Sequence, residues 1–384
     1  MSPPATMNAL VLTPSTKSVA LKTVPTPNPG PSEVLVKVHA IALNPIDTIY
    51  VQLPIAESDR VIGTDFAGVV AAVGEGVKDR KVGDRVAGFQ QGACSSNERP
   101  GAFADYVLSD SDLLWSVPNS MSLRDAAAVS MCGLTAAQGL FYRLGLPLPA
   151  NFPTPSIKPA SPAPVPTENP VVLVYAGSTS LGMYTLQLAR RALPKAKIIA
   201  VASPKHAEFL ASPPYGADHV VDYRDTAWPE AVRALAPEGV TYAMDCISEG
   251  ETAVGVNSTL ADNGRMAIFR SPQGGGFPAD LRIPPIYGAV WEGLGHDFGY
   301  GGPVIPADPT ARAFAVAFDE YLSQHPLEPN PVRLLPGGLE RVTAEGFALL
   351  GGIMVAQRGE AVVDGVKLKP LSGEKAVFEL VPDK

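Results

Sequence analysis

The sequence predicts an α/β chain in two parts, a β-barrel of short strands and a doubly wound parallel sheet. Three observations predict it. The first 145 residues are short apolar pieces cut by turns, and from Val171 onward strand patterns alternate with helix patterns. Between them lies a segment, 146–170, in which more than a third of the residues are proline.

In the first part, "SEVLVKVHAIAL" alternates and is rich in valine, and "GVVAAVGEGV" and "VGDRVAGF" are short apolar runs interrupted by glycine. That is the pattern of barrel strands. A helical stretch, "SLRDAAAVSMCGLTAAQGLFYRL", follows, with Ser122 placed to cap it. The proline segment supports neither helix nor central strand, so it is read as an extended surface connection. "VVLVYAG" then reads as a buried parallel strand and "LGMYTLQLARRAL" as a helix. "KIIAVAS" is a second strand, "HAEFLASPPYGA" a helix with a proline-broken end, and "HVVDYRD" a third strand. "VTYAMDCIS" and "GRMAIFR" are further strands, and the tail "KPLSGEKAVFELVPDK" returns to strand character. Strands alternating with helices imply right-handed crossovers and a parallel sheet. No internal repeat is visible.

Composition narrows the function. The chain has 384 residues, 46% of them hydrophobic and 18% charged, and a net charge of −8. An acidic chain is a poor nucleic-acid binder, because phosphate contacts need clustered Lys and Arg. Its three cysteines, Cys94, Cys132 and Cys246, are far apart with no CxxC spacing, so neither a disulfide framework nor a structural zinc site is expected. A reducing, cytoplasmic setting fits. The N-terminal "MSPPATMNALVL" lacks the basic and apolar regions of a signal peptide, and no run of about 18 apolar residues suits a bilayer.

The turn Ala176-Gly177-Ser178-Thr179-Ser180-Leu181-Gly182 joins the first parallel strand to its helix. Glycines there let the backbone approach a pyrophosphate, which the helix N-terminus then holds. The segment is not a strict G-x-G-x-x-G. It also lacks the Gly-Lys-Ser/Thr end of an NTPase loop, which disfavours ATP. Gly177, Ser178, Thr179, Ser180 and Leu181 are the candidate phosphate binders. At the end of the second strand, sites that prefer NAD place Asp or Glu against the ribose 2′-hydroxyl. This chain places Ser203 there, with Lys205 and His206 just after and Tyr223 following the third strand. Hydroxyl and ammonium groups hold a 2′-phosphate that a carboxylate repels, so the set favours NADPH over NADH.

Several stretches together resemble the medium-chain dehydrogenase/reductase superfamily: "GTDFAGVVAAVG…VGDRVAGF", "GAFADYV", "GLTAAQGLF", the glycine turn, "YGADHVVDYRD" and "SGEKAVFEL". "NPID", "AGSTSLG", "VASPKH" and "VDYRD" resemble the fungal trans-acting enoyl reductases of polyketide assembly lines, with quinone oxidoreductases as near cousins. The resemblance implies a GroES-like domain built from 1–145 and 330–384, a Rossmann domain over 171–329, and a cofactor in the cleft between them. It further implies NADPH-dependent reduction of an α,β-unsaturated thioester. The partner would be an acyl chain on a carrier domain of a polyketide or hybrid synthase, and the protein a monomer. Zinc-dependent relatives use a Cys and a Gly-His-Glu segment. The matching places here read Asn44 and Gly63-Thr64-Asp65, which are poor zinc ligands, so no metal is expected.

By the same resemblance, Pro45, Ile46, Asp47 and Thr48 sit beside the nicotinamide, although Asp47 equally suits a turn cap. Many relatives carry Lys at the place of Ile49, and an apolar side chain donates no proton. Tyr50 is then a candidate donor, or else packing. Thr135 faces the nicotinamide ribose or phosphates, or bonds its own helix. Thr48, Tyr50 and Thr135 are the candidate catalytic side chains. Met131, Cys132, Gly133 and Leu134 line the acyl pocket, with Cys132 a wall rather than a nucleophile. Tyr287, Val290 and Trp291 form its floor. Ile268 and Phe269 match the stretch whose backbone meets the nicotinamide amide, and Leu371 and Ser372 close the cofactor cleft. Asp65 is expected to cap a turn. Two alternatives stay open: a free-standing quinone or enone reductase, and a redox-silent relative acting as isomerase or cyclase.

Overall fold

The computed structural model describes residues 3–96, 99–158, 161–300, 304–358, 360–363 and 365–382. The chain forms two compact units, 1–131 with 291–384, and 132–290.

The first unit is built around the strand Glu33–Ala42, whose β-branched alternation the sequence showed. It pairs antiparallel with Asp65–Val73, with Tyr106–Asp110, and with the C-terminal strand Lys375–Glu379. Arg85–Phe89 and Trp115–Ser116 extend one side of this seven-stranded sheet, and Val332–Leu335 the other. A second sheet of three strands is formed by Thr6–Thr13, Ser18–Pro25 and Arg60–Val61. Ser122 caps the helix Leu123–Ala126 as expected, its hydroxyl accepting from the Asp125 N–H at 3.0 Å. Helix α1 (Pro45–Gln52) begins with Pro at its first position, where the missing N–H costs nothing.

The second unit holds β1 (Val171–Tyr175), β2 (Lys197–Ala202), β3 (His219–Asp222), β4 (Val240–Asp245), β5 (Leu260–Ile268) and β6 (Ile286–Tyr287). Every pair is parallel and the spatial order is β3-β2-β1-β4-β5-β6. That is the doubly wound dinucleotide-binding order, and it reverses direction beside β1. Helix α2 (Ser130–Ala137) leads into this unit, and helix α3 (Ser180–Ala192) follows β1. One face of the sheet buries Tyr175, Trp228, Val232, Ala253 and Val256 together. The Trp228 ring lies 5.0 Å from that of Tyr175. Trp228→Ala is expected to destabilise this unit by about 3–5 kcal/mol, read as a lower urea midpoint, because the void cannot collapse.

The units divide at 131 and 290, where the sequence suggested 145 and 329. The reason at the second point is the helix Pro309–Gln324. Its Ser323 hydroxyl accepts from the Ser116 N–H at 2.9 Å, and Arg312 pairs with Asp112 at 2.8 Å, both in the first unit. Among its described residues the proline segment has no regular element, as expected, but it is docked rather than loose. The Val165 N–H donates to the Tyr242 hydroxyl at 2.7 Å, and Arg265 donates to the Ala163 and Leu144 carbonyls.

Candidate cofactor and active-site residues

In the second unit, the glycine turn stands at the carboxyl end of β1. Ala176 takes a left-handed φ of 59°, and the Gly177 N–H reaches the Val201 carbonyl at 3.0 Å. Thr179 is the N-cap of α3, a helix of 13 residues. Its hydroxyl accepts from the Gly182 N–H at 3.1 Å and donates to the Ala176 carbonyl at 2.8 Å. The Thr179 hydroxyl is therefore committed to the turn, and Ser178, Ser180 and Leu181 are half-buried around it. Both glycines are required by close approach. A Cβ on Gly177 would lie 2.9 Å from the Ala200 Cβ, and one on Gly182 would lie 2.3 Å from the Ala176 carbonyl oxygen.

Ser203, Lys205 and His206 follow β2 in a single short turn, with the His206 N–H on the Ser203 carbonyl at 2.9 Å. Ser203 and His206 are half-buried, and Lys205 is exposed. Tyr223 stands exposed just past β3. Asp222, the last residue of β3, is the carboxylate next to this group. Arg224 grips it through Nε at 3.0 Å and Nη2 at 2.9 Å, which holds the Asp222 carboxyl below its ordinary range. The acid is thus paired with a guanidinium.

Asp245 ends β4 fully buried. It accepts from the N–H groups of Ile247 and Ser248 and from the Thr252 hydroxyl, at 3.0, 2.8 and 2.8 Å. Burial pushes its carboxyl above the ordinary value in spite of these bonds. The loop it secures presents the Ser248 hydroxyl to the Phe269 N–H at 3.0 Å. That backbone donor, expected to meet a nicotinamide amide, is engaged by Ser248 here, and the Ile268 carbonyl accepts from Gly288 at 3.2 Å. Tyr287 lies on β6 at the same end of the sheet, and Val290 is buried after it. Cys132, Gly133, Leu134 and Thr135 lie on α2, with Gly133 and Leu134 buried and Cys132 and Thr135 half-buried.

In the first unit, Pro45, Ile46, Asp47, Thr48 and Tyr50 lie on α1. The Asp47 carboxylate accepts from the Asn44 N–H at 2.7 Å, so the capping reading of Asp47 is realised. Its Oδ1 is buried with no hydrogen-bond partner. Burial, reinforced by the nearby Asp65 charge, raises the Asp47 carboxyl to about 7, against the Asn44 bond and Lys375. The Thr48 hydroxyl donates to the Pro45 carbonyl at 2.9 Å. Tyr50 is 3% exposed, accepts from Gln91 Nε2 at 3.3 Å, and its ring lies 6.3 Å from that of Trp291. Trp291 also meets Phe89 at 6.1 Å, so Tyr50 packs in an aromatic cluster. Leu371 and Ser372 lie in the loop before Lys375–Glu379.

Asp65 does not cap a turn. It opens its strand fully buried. It receives the Lys375 ammonium at 3.0 Å, the Asn44 amide at 2.8 Å and the Met131 N–H at 2.8 Å. The Met131 backbone is thereby fixed. Lys375 is the residue that sequence reading passed over. Its signal was a lysine at the head of the apolar run "KAVFE", where the following strand positions are buried.

Zinc does not suit these positions. Asn44 and Thr64 offer an amide and a hydroxyl, and an ammonium lies 2.6 Å from the Asn44 Oδ1. Among the described residues no three His, Cys, Asp or Glu side chains gather to hold a metal ion. No helix among them is long and apolar enough to cross a membrane.

Comparison with known proteins follows the same division. Residues 30–119 match the alcohol dehydrogenase GroES-like domain, and residues 180–285 match the family described as zinc-binding dehydrogenase. The chain is 31% identical over 369 residues to trans-enoyl reductase RAP2 of Pyricularia oryzae, covering 94% of each. Its fold is similar to the CurK enoyl reductase, with TM-score 0.67, 20% identity, and 97% and 99% of the two chains covered. It is also similar to mycobacterial Rv1454c complexed with NADPH, with TM-score 0.64, 23% identity, and the same coverage.

Proposed function

We propose, since the chain belongs to the medium-chain dehydrogenase/reductase superfamily of oxidoreductases, that it is an NADPH-dependent trans-acting enoyl reductase. Its substrate is an α,β-unsaturated acyl thioester on the carrier domain of a fungal polyketide or hybrid synthase. It works without zinc, as a monomer, in the cytoplasm. The full-length likeness to trans-enoyl reductase RAP2 supports the reaction class. The observation that carries the cofactor choice is the turn after β2, which offers Ser203 and Lys205 and no acidic side chain, while the neighbouring Asp222 is held by Arg224.

NADPH, when bound, would supply a hydride for the β-carbon, with the proton for the α-carbon coming from water or a side-chain donor. The chain's own residues do the positioning. The Gly177–Gly182 turn and the start of α3 receive the pyrophosphate. Ser203, Lys205, His206 and Tyr223 receive the 2′-phosphate. Pro45–Thr48, Thr135, Ile268, Phe269, Leu371 and Ser372 border the nicotinamide end. Met131–Leu134, Tyr287, Val290 and Trp291 border the acyl chain.

The test is kcat/KM with NADPH and with NADH on a crotonyl-pantetheine thioester. NADPH is expected to win, and Ser203→Asp to move the ratio toward NADH by about a hundredfold, through repulsion of the 2′-phosphate. A wild-type enzyme indifferent to the phosphate would sink the assignment. Ile49 favours a second reading, in which a redox-silent pocket isomerises or cyclises its substrate. A wild-type protein that converts the thioester without consuming NADPH would select that reading. Faster turnover of a free quinone than of the thioester would instead select a free-standing quinone or enone reductase.

A further inference from the structure

Four oxygen-bearing side chains converge in the first unit: Asn44, Asp47, Thr64 and Asp65, none more than 3% exposed. Thr64 donates to Asp47 at 3.3 Å, and the Asn44 amide donates to both Thr64 and Asp65 at 2.8 Å. Two carboxyl groups with further oxygens, out of water, make a nest of negative potential that calls for a cation. The cation present is a side chain. Lys375 Nζ lies 2.6 Å from Asn44 Oδ1 and 3.0 Å from Asp65 Oδ2, at 3% exposure. It comes from the far end of the chain because Lys375–Glu379 pairs with Glu33–Ala42, and the Leu43 N–H reaches the Ala376 carbonyl at 3.0 Å.

We propose that Lys375 is the resident cation of this nest, a positioning residue that fixes the Asn44–Thr48 turn and the Met131 backbone in place of a metal ion. The ammonium engages two acceptors of the nest at once, Asn44 Oδ1 and Asp65 Oδ2. Asp65, so held, keeps its other oxygen on the Met131 N–H at 2.8 Å. Asn44 in turn holds the first turn of α1 through Asp47. One buried charge thus ties two segments that the reductase reading places at the reacting end of the substrate. A neutral residue at 375 leaves Asp65 buried without its counter-ion, and a neutral residue at both positions removes that conflict but not the loss of anchoring.

The experiment compares the full chain with Lys375→Met, Asp65→Asn and the double variant, by thermal unfolding and by steady-state kinetics. Lys375→Met is expected to lower Tm by about 10 °C, and Lys375→Met/Asp65→Asn to recover more than half of that loss. In the double variant kcat is expected to fall about tenfold while KM for NADPH changes less than about threefold, because the phosphate-binding turn is untouched. Lys375→Ala is expected to regain stability with ethylammonium chloride and not with ethanol at equal concentration. A Lys375→Met protein as stable and active as the wild type overturns the proposal, as does a double variant no more stable than Lys375→Met alone. The kinetic arm rests on the reductase reading, whereas the stability cycle and the amine rescue do not. A wild type that leaves NADPH unoxidised therefore defeats that reading and still lets unfolding decide the role of Lys375.

Discussion

Gly182→Ala is expected to raise the dissociation constant for NADPH at least about a hundredfold, measured by fluorescence titration, and to destabilise the Rossmann unit by about 1–3 kcal/mol. The added Cβ would lie 2.3 Å from the Ala176 carbonyl oxygen and 2.8 Å from the Gly177 Cα. Both are backbone atoms, so no side chain can swing away to relieve the contact. Relief must come from moving the turn or the start of α3, and those are the groups that would cradle the pyrophosphate. The Ala176 carbonyl also accepts from the Thr179 hydroxyl, so displacing it loosens the helix cap as well. A Gly182→Ala protein that binds NADPH as tightly as the wild type would show that the dinucleotide lies elsewhere.

The second large effect concerns pH. The Asp47 carboxyl is raised from 3.8 to about 7, first by burial, while the Asn44 N–H and Lys375 pull the other way. The unfolded chain releases this proton near pH 4 and the folded chain near pH 7. Between those values the native state binds more protons than the unfolded state, so this group's contribution to stability falls as pH rises. The stabilisation is complete below pH 4 and gone above pH 7. Three pKa units at 1.36 kcal/mol each amount to about 4 kcal/mol across that window. Asp47→Asn removes the titration. The Tm difference between variant and wild type is therefore expected to move in favour of the variant between pH 4.5 and 7.5. Parallel Tm profiles for the two proteins would show that Asp47 does not titrate in this window.

The second unit was legible in the sequence to a degree the first was not. Each βα step announces itself within about 15 residues, by an apolar strand, a small-residue turn and a 3.6-residue period, and β1, α3, β2 and β3 all fall where those signals lie. The glycine turn before α3 was visible for the same reason. The Ser122 cap and the Asp47 cap were legible because their partners are three residues away. The unit boundary near 131 was not, because it falls inside α2, a helix with no break in composition. Nor was the docking of the proline segment, since Val165 and Tyr242 are 77 residues apart. Asp65 was misread as a turn cap because its partner Lys375 is 310 residues distant, and no local pattern carries such a pairing.

The strand that supplies Lys375 also dictates an order of assembly. The sheet of the first unit takes its central strand from residues 33–42 and a neighbouring strand from residues 375–379. A ribosome releases those two segments far apart in time, while 132–290 emerges as one continuous stretch. The Rossmann unit can mature during synthesis. Residues 33–37 of the early strand can pair with 106–110 as soon as those are made, whereas Ala40–Ala42 wait for 377–379 until the whole of 132–290 has been synthesised.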